Sequence, residues 1–212
     1  NNMALSNELV APSGGVNAVF NPAQYNHSAA TDNKNILTTN VSEVGVFNIR
    51  LTPGSNYHGV TLPASVSTPT GRFYPHHFNV SELVSGQLQP YCSTDSAFAY
   101  SGQDINWQLA PVVEIQAQNA ANNLTQNYTQ AGFMKLPLNP AIFSLPTTDS
   151  SALANDGLPI SLSTVINAGS LTTAAAGILN YTLNALDDRF TYTKELRAEV
   201  DPFIPDLALT LN

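Results

Sequence analysis

The side chains best suited to metal or acid–base chemistry are four histidines, two of which are adjacent in sequence. His76 and His77 follow one another, and neighbouring side chains on a strand point to opposite faces. Two histidines placed in this way cannot chelate one metal ion, and His27 and His58 are distant in sequence and lack a partner motif. The sequence therefore predicts no metal site, and His77 is expected to be a hydrogen-bonded structural residue.

Carboxylates are the second group that could carry chemistry. Asp156 and the pair Asp187–Asp188 are the best calcium candidates, although no Asp-rich alternating loop surrounds them. Glu195 with Glu199, or Asp187 with Asp188, could be paired for glycoside hydrolysis, but solvated turns and strand faces explain such pairs better. We therefore expect no cofactor, and calcium is the one ion for which candidates exist.

No motif for nucleophilic or phosphate chemistry is present in the chain. The G-x-S-x-G elbow, the P-loop, the H-E-x-x-H pair and the dinucleotide fingerprint are all missing from the sequence. The sequence therefore predicts a protein that is not an enzyme.

Three aromatic residues lie close together in sequence and could form a platform for sugars. They are Tyr91, Tyr100 and Trp107, which surround a YSGQ turn. The alternative, which we favour, is that Trp107 is a core residue packed between sheets. A glycan-binding site at these three residues thus stays open as a second hypothesis.

The charge balance excludes several classes of partner. Charged residues make up 10% of the chain, and fifteen acidic against seven basic residues give a net charge of −8. No basic stripe could neutralise nucleic acid or anionic lipid. No apolar stretch approaches the roughly 20 residues that span a bilayer.

Cys92 is the only cysteine and is expected to be buried or paired with a segment outside this chain.

The elements that would position these residues are strands with alternating polarity. Phe47, Ile49 and Leu51 share one face of a predicted strand. The same alternation recurs in VVEIQAQN at 112–119, GILNYTLNAL at 177–186 and LALTLN at 207–212. A single helical turn fits at 171–177, and FSLPTTDSSALANDG at 143–157 has the composition of a loop.

Frequent turn signals between short strands predict an all-β fold of tandem immunoglobulin-like antiparallel β-sandwiches. The Pro- and Thr-rich stretch at 62–71 is the best candidate for a domain boundary. It would separate a partial immunoglobulin-like domain at 1–70 from a larger β-sandwich domain at 71–212.

A motif directly after this boundary, GRFYPHHFNV at 71–80, carries a resemblance. It resembles the GRFYPxHF signature of the large uncharacterised domain in proteins of the MshQ-like family, which takes part in the biogenesis of mannose-sensitive haemagglutinin pili. YHG at 57–59, FAYSGQ at 98–103, the segment 116–136 and the segment 189–211 are similar to the family as well. The chain departs from the family at His76, which is often acidic or small there, and at Ser101, which is often Met.

The motif also has a physical interpretation of its own. Pro75 pushes Tyr74 toward extended geometry, so RFYP is expected to form a strand that bends before HHF continues as a second strand. Gly71 would supply backbone freedom, and Arg72 could pair with an acid or a carbonyl. Phe73 and Phe78 would anchor the bend in two cores, so the motif would act as an interdomain hinge. We expect a structural role for these residues rather than a binding role.

Composition and resemblance together predict a non-catalytic structural or adhesion module of a bacterial surface protein. The resemblance implies association with type IV pili, a location outside or on the surface of a Gram-negative bacterium, and pilus or cell-surface proteins as partners. Surface glycans are the partners under the second hypothesis. Nucleic acid binding and direct membrane insertion are not expected.

Overall fold

The computed structural model describes residues 2–28, 34–92, 98–136, 143–145, 147–154, 156–193, 202–208 and 210–211. These residues form strands, with one short 3₁₀ helix at Gln126–Thr129 and no α-helix among them. All the strand pairings whose register is resolved are antiparallel. The prediction of an all-β chain built from antiparallel sheets is confirmed, and the sheets are consistent with β-sandwiches.

The strands are numbered in chain order. The first ten are β1 Asn2–Ala11, β2 Phe20–Asn21, β3 Gln24–Asn26, β4 Asn40–Val41, β5 Gly45–Pro53, β6 Ser65–Val66, β7 Thr70–Phe73, β8 His77–Val84, β9 Gln87–Leu88 and β10 Asp104–Ile105. The others are β11 Trp107–Leu109, β12 Val112–Gln118, β13 Phe143–Ser144, β14 Thr148–Leu153, β15 Pro159–Val165, β16 Ser170–Ala175, β17 Ile178–Thr182, β18 Arg189–Tyr192 and β19 Thr210–Leu211.

Within the described residues, the strands form six small sheets rather than one large one. The largest has the order β3-β1-β5-β6, with β7 also paired to β5. Two four-stranded sheets have the orders β10-β18-β15-β14 and β16-β17-β12-β8. The remaining pairs are β11-β9, β13-β19 and β2-β4.

Alternating burial follows the predicted periodicity where the sequence alternates. Along β5, Phe47 is fully buried while Arg50 is exposed. Val113, Ile115 and Ala117 form the buried face of β12. Leu179, Tyr181 and Leu183 are buried along and just after β17. The pattern at 207–212 lies partly outside the described residues, which there include β19.

Two segments differ from the prediction because they lack an apolar periodicity. The stretch 143–157, read as a loop, contains β13 and β14, and β14 pairs with β15. The stretch 171–177, read as a helical turn, lies mostly in β16, whose side chains are nearly all exposed. Threonine is a residue type that favours strands. Because neither face of β16 is buried, the spacing of hydrophobic residues does not reveal the strand.

The chain folds as two compact units. The first comprises Asn1–Val80, Ile115–Lys135 and Thr173–Leu179, and the second comprises Ser81–Glu114, Leu136–Thr172 and Asn180–Asn212. The division into domains at 1–70 and 71–212 stays a prediction. Among the described residues, no helix is long and apolar enough to cross a membrane.

Candidate functional site

The 71–80 motif lies within the first unit and joins β7 to β8. β7 ends at Phe73 and β8 begins at His77, so the bend falls around Pro75 at residues 74–76, and neither strand extends as far into the bend as RFYP and HHF predict. Gly71 has a φ of +119°, and a Cβ there would lie 2.7 Å from the carbonyl oxygen of Gly45. A side chain at position 71 would therefore strain the backbone and push β7 away from β5.

Two side chains of β7, those of Arg72 and Phe73, pack onto other parts of the first unit. The guanidinium of Arg72 lies 4.1 Å from the ring centroid of Phe133 and donates a hydrogen bond to the carbonyl oxygen of Gly132. The rings of Phe73 and Phe47 have centroids 6.1 Å apart. Arg72 thus meets a carbonyl, one of the two partners expected for it.

The remaining aromatic residues of the motif face different surroundings. Phe78 packs edge-on against Tyr128, with centroids 5.3 Å apart. Tyr74 is 68% exposed, and His76 is exposed as well. If the motif contacts a partner, Tyr74 is the residue best placed to do so.

His76 and His77 lie side by side, which contradicts the expectation that their side chains point to opposite faces. Their Nδ1 atoms are 3.0 Å apart. The alternation rule applies within a strand, and His76 precedes β8, so its side chain is free to turn toward its neighbour. His77 is hydrogen-bonded through Nε2 to Oε1 of Gln118, at 3.1 Å.

The aromatic group of the second unit divides into an exposed part and a buried part. Tyr91 and Tyr100 are 66% and 59% exposed, with ring centroids 6.0 Å apart. Phe98 extends this pair, because its ring centroid lies 5.2 Å from that of Tyr100. We call Tyr91, Phe98 and Tyr100 the aromatic patch. Phe98 was not among the residues singled out from the sequence, although it stands two residues before Tyr100.

Trp107 is a core residue and does not share the exposure of the aromatic patch. It is 7% exposed and packs edge-on against Phe190, with centroids 4.5 Å apart. Its Nε1 donates a hydrogen bond to Oδ2 of Asp188 at 3.1 Å. The interpretation of Trp107 as a packed tryptophan is the one that the geometry supports.

The calcium candidates are engaged in hydrogen bonds within the chain. Asp188 is fully buried and also accepts a hydrogen bond from the backbone N–H of Asn167 at 2.8 Å. Burial raises the pKa of Asp188, and the hydrogen bonds from Asn167 and Trp107 oppose this shift. Asp187 accepts from Nδ2 of Asn184, and Asp156 accepts from the N–H of Leu158. Within the described part of the chain, no three His, Cys, Asp or Glu side chains are grouped for a metal ion.

Two further buried acids were not predicted from the sequence. Glu43 accepts hydrogen bonds from three backbone N–H groups, those of Val44, Gln126 and Asn127. Asp149 accepts a hydrogen bond from the hydroxyl of Tyr192 at 2.6 Å. Burial together with this carboxylate raises the pKa of Tyr192 far above its ordinary value.

The pair Glu195 and Glu199 lies outside the described residues. Cys92 is a half-buried free thiol.

The family comparison covers most of the chain. A family model described as DUF6701, third domain, matches residues 43–212. No curated protein and no solved structure matches the chain. The match includes the 71–80 motif, the aromatic patch and the buried acids.

Proposed function

The chain belongs to the DUF6701 third-domain family, and from that premise we propose that it is a non-catalytic structural or adhesion module. The module would be part of a bacterial surface protein associated with type IV pili of the mannose-sensitive haemagglutinin class. The observation that carries the proposal is the description of the matched family as a third domain, since a third domain implies a series of domains in one protein. The 71–80 motif and its resemblance to MshQ-like proteins supply the link to pili and to the outer surface of a Gram-negative bacterium.

The use of the buried acids supports a non-catalytic role. Among the described residues, Glu43, Asp149 and Asp188 are the most buried carboxylates, and each accepts hydrogen bonds from the chain itself. A general acid or base needs its carboxyl within reach of a substrate proton. These three carboxyls instead hold loops and strands together, which suits a module that bears load or displays a partner.

The composition of the chain is in keeping with a surface module. Charged residues amount to 10%, against about 25% in an average soluble domain. Amide and hydroxyl side chains replace the charged residues as the polar groups of the chain. Hydrogen bonds from these neutral groups depend less on ionic strength than contacts between charged groups do. We therefore propose pilus or cell-surface proteins as the partners.

Pilus association is tested by changing the exposed residue of the motif. The chain is immobilised and incubated with sheared pili of the mannose-sensitive haemagglutinin class, and retained pilin is quantified. We expect Tyr74→Ala to reduce retention at least about tenfold, because exposed tyrosines are frequent anchors in protein interfaces. Tyr57→Ala, which removes a tyrosine that is 57% exposed in the same unit, is the matched control and should leave retention unchanged. If the unaltered chain retains no pilin, the link to pili is wrong.

A second candidate function, glycan binding, is favoured by the aromatic patch. Tyr91, Phe98 and Tyr100 present three neighbouring rings to solvent, and apolar ring faces with phenolic hydroxyls suit the mixed polarity of a sugar. Trp107 does not belong to this candidate site, because it is buried.

Binding to a glycan array separates the second function from the first. If the aromatic patch binds sugars, Tyr91→Ala and Tyr100→Ala should each weaken a saturable signal by about tenfold, since one aromatic contact contributes about 0.5–1.5 kcal/mol beyond its buried area. Tyr74→Ala should leave the signal intact and so serves as the control. A chain that binds no glycan on the array removes the second function and leaves the first untouched.

A further inference from the structure

We propose that His76 and His77 form a two-histidine site for a divalent transition-metal ion, with Cu²⁺ preferred over Zn²⁺. The site is independent of the proposed function, because it rests on the geometry of two side chains and of β12. Its first support is proximity: the Nδ1 atoms of the two rings are 3.0 Å apart, and the ring planes are nearly perpendicular, at 88°.

Gln118 holds both histidines against β12. The backbone N–H of His76 donates to the carbonyl oxygen of Gln118 at 2.8 Å. The side chain of the same glutamine contacts His77, with Nε2 and Oε1 3.1 Å apart. One residue thus fixes the backbone of His76 and the ring of His77, so the pair is presented by an ordered strand.

A second glutamine determines which nitrogen of His77 can bind a metal. Nε2 of Gln118 donates to Oε1 of Gln116 at 3.0 Å, which turns the amide oxygen of Gln118 toward His77. A carbonyl oxygen only accepts hydrogen bonds, so Nε2 of His77 must carry the proton. In the neutral ring Nδ1 then carries a lone pair, which accepts the hydrogen bond from Nδ1 of His76 until an ion takes the place of that proton. Metal-binding histidines are usually oriented by such a hydrogen bond from the second ring nitrogen.

The choice of metal follows from the type and number of the ligands. Copper binds nitrogen ligands most tightly in the series of divalent first-row metals. Two imidazoles with water at the remaining positions suit the tetragonal nitrogen and oxygen coordination of Cu²⁺, whereas a structural Zn²⁺ site usually takes four protein ligands.

The surroundings of the pair allow the ion to enter. The ring centroids are 5.3 Å apart, so the two Nδ1 atoms face each other almost directly, as in a hydrogen bond between the rings. Binding an ion requires one ring to turn, and the exposed His76 can do so while Gln118 holds His77. Water can complete the coordination on the exposed side, and a chain with a net charge of −8 attracts cations in general.

The site is tested by titrating the whole chain with Cu²⁺ and, separately, with Zn²⁺, followed by calorimetry. We expect one Cu²⁺ bound more tightly than Zn²⁺, with electron paramagnetic resonance showing two nitrogen ligands. His76→Ala and His77→Ala should each weaken Cu²⁺ binding at least about tenfold, as should Gln118→Ala, because loss of an orienting partner costs about 10–100-fold in affinity. The matched control is His27→Ala, which removes an exposed histidine away from the pair.

Circular dichroism shows whether each variant is folded, so a loss of binding by unfolding is recognised. Copper binding of unchanged affinity in both His76→Ala and His77→Ala would overturn the site, since the ion would then bind elsewhere. Tighter binding of Zn²⁺ than of Cu²⁺ would overturn the preference for copper.

Discussion

Replacing Trp107 with alanine is expected to lower the free energy of unfolding by about 3–5 kcal/mol, the usual cost of removing a buried aromatic side chain. The indole is 7% exposed and packs against Phe190, so its removal leaves a cavity. It also removes the N–H that donates to the buried carboxylate of Asp188. Urea unfolding followed by circular dichroism measures the loss.

Two further variants divide this effect into its parts. Trp107→Phe keeps an aromatic ring but leaves Oδ2 of Asp188 without its indole donor, and should cost about 1–3 kcal/mol. Leu109→Ala, on the same strand but 49% exposed, should stay within about 0.5 kcal/mol of the unaltered chain. If Trp107→Ala proved as stable as Leu109→Ala, Trp107 would not be a core residue. Trp107 would then again be a candidate for glycan binding, together with Tyr91 and Tyr100.

The strands that the sequence predicted are those with one buried face. In β5 and β12 the alternation of apolar and polar residues is the direct result of burial on one side, so the pattern could be read before the fold was known. β16 has no such face, and its exposed Thr and Ala side chains carry no periodic signal. Its conformation depends on its neighbour β17, which is information that lies outside the segment.

The candidate sites were predictable only in their local parts. Tyr91 and Tyr100 could be grouped because they lie close together in sequence, and Phe98 belongs to the same short stretch. The contact between His76 and His77 depends on where β8 begins, and strand ends are the least predictable part of a strand. Trp107 and Asp188 are 81 residues apart in sequence, so only the fold shows that they meet.

Glu43 illustrates most clearly a role that sequence spacing cannot predict. The 3₁₀ helix at Gln126–Thr129 has no side-chain cap from its own N-cap residue, Thr125. The hydroxyl of Thr125 donates instead to the carbonyl oxygen of Ala117 at 2.9 Å. The carboxylate of Glu43, more than 80 residues earlier in the chain, accepts the N–H groups of Gln126 and Asn127 in its place. A distant acid therefore provides the cap that a local residue usually supplies.

The side chain of Asn127 extends this arrangement to the N-terminal part of the first unit. Its Nδ2 donates to the carbonyl oxygens of Val16 and Val44, both at 2.9 Å. Its Oδ1 accepts the backbone N–H of Val16 at 2.7 Å. Glu43 and Asn127 thus join three separate segments of the first unit through buried hydrogen bonds, and such networks are costly to leave partly satisfied.

Replacing Glu43 with alanine is therefore expected to lower the free energy of unfolding by about 2–4 kcal/mol, because buried N–H groups lose their acceptor. Glu43→Gln should cost less, about 1–3 kcal/mol. The amide oxygen can still accept the N–H groups of Val44 and Asn127, but the amide nitrogen then faces the N–H of Gln126, which is also a donor. Urea unfolding at neutral pH measures both variants, and Glu8→Gln, at an exposed position of β1, is the control.

The pH dependence of the same variants tests the state of the carboxyl group. Burial raises the pKa of Glu43 in the folded chain, and its three backbone hydrogen bonds only partly offset this. A carboxyl whose folded pKa is raised binds its proton more readily in the folded state, so its contribution to stability increases as the pH falls and is lost as the pH rises through that pKa. The unaltered chain should therefore gain stability from Glu43 between pH 7 and the ordinary pKa of about 4.3, a gain that Glu43→Gln lacks. The pKa of Asp188 is raised in both proteins, so its contribution to the pH dependence of stability cancels in the comparison. The stability difference between the two proteins should widen as the pH falls, and parallel profiles would contradict a raised pKa of Glu43 in the folded chain.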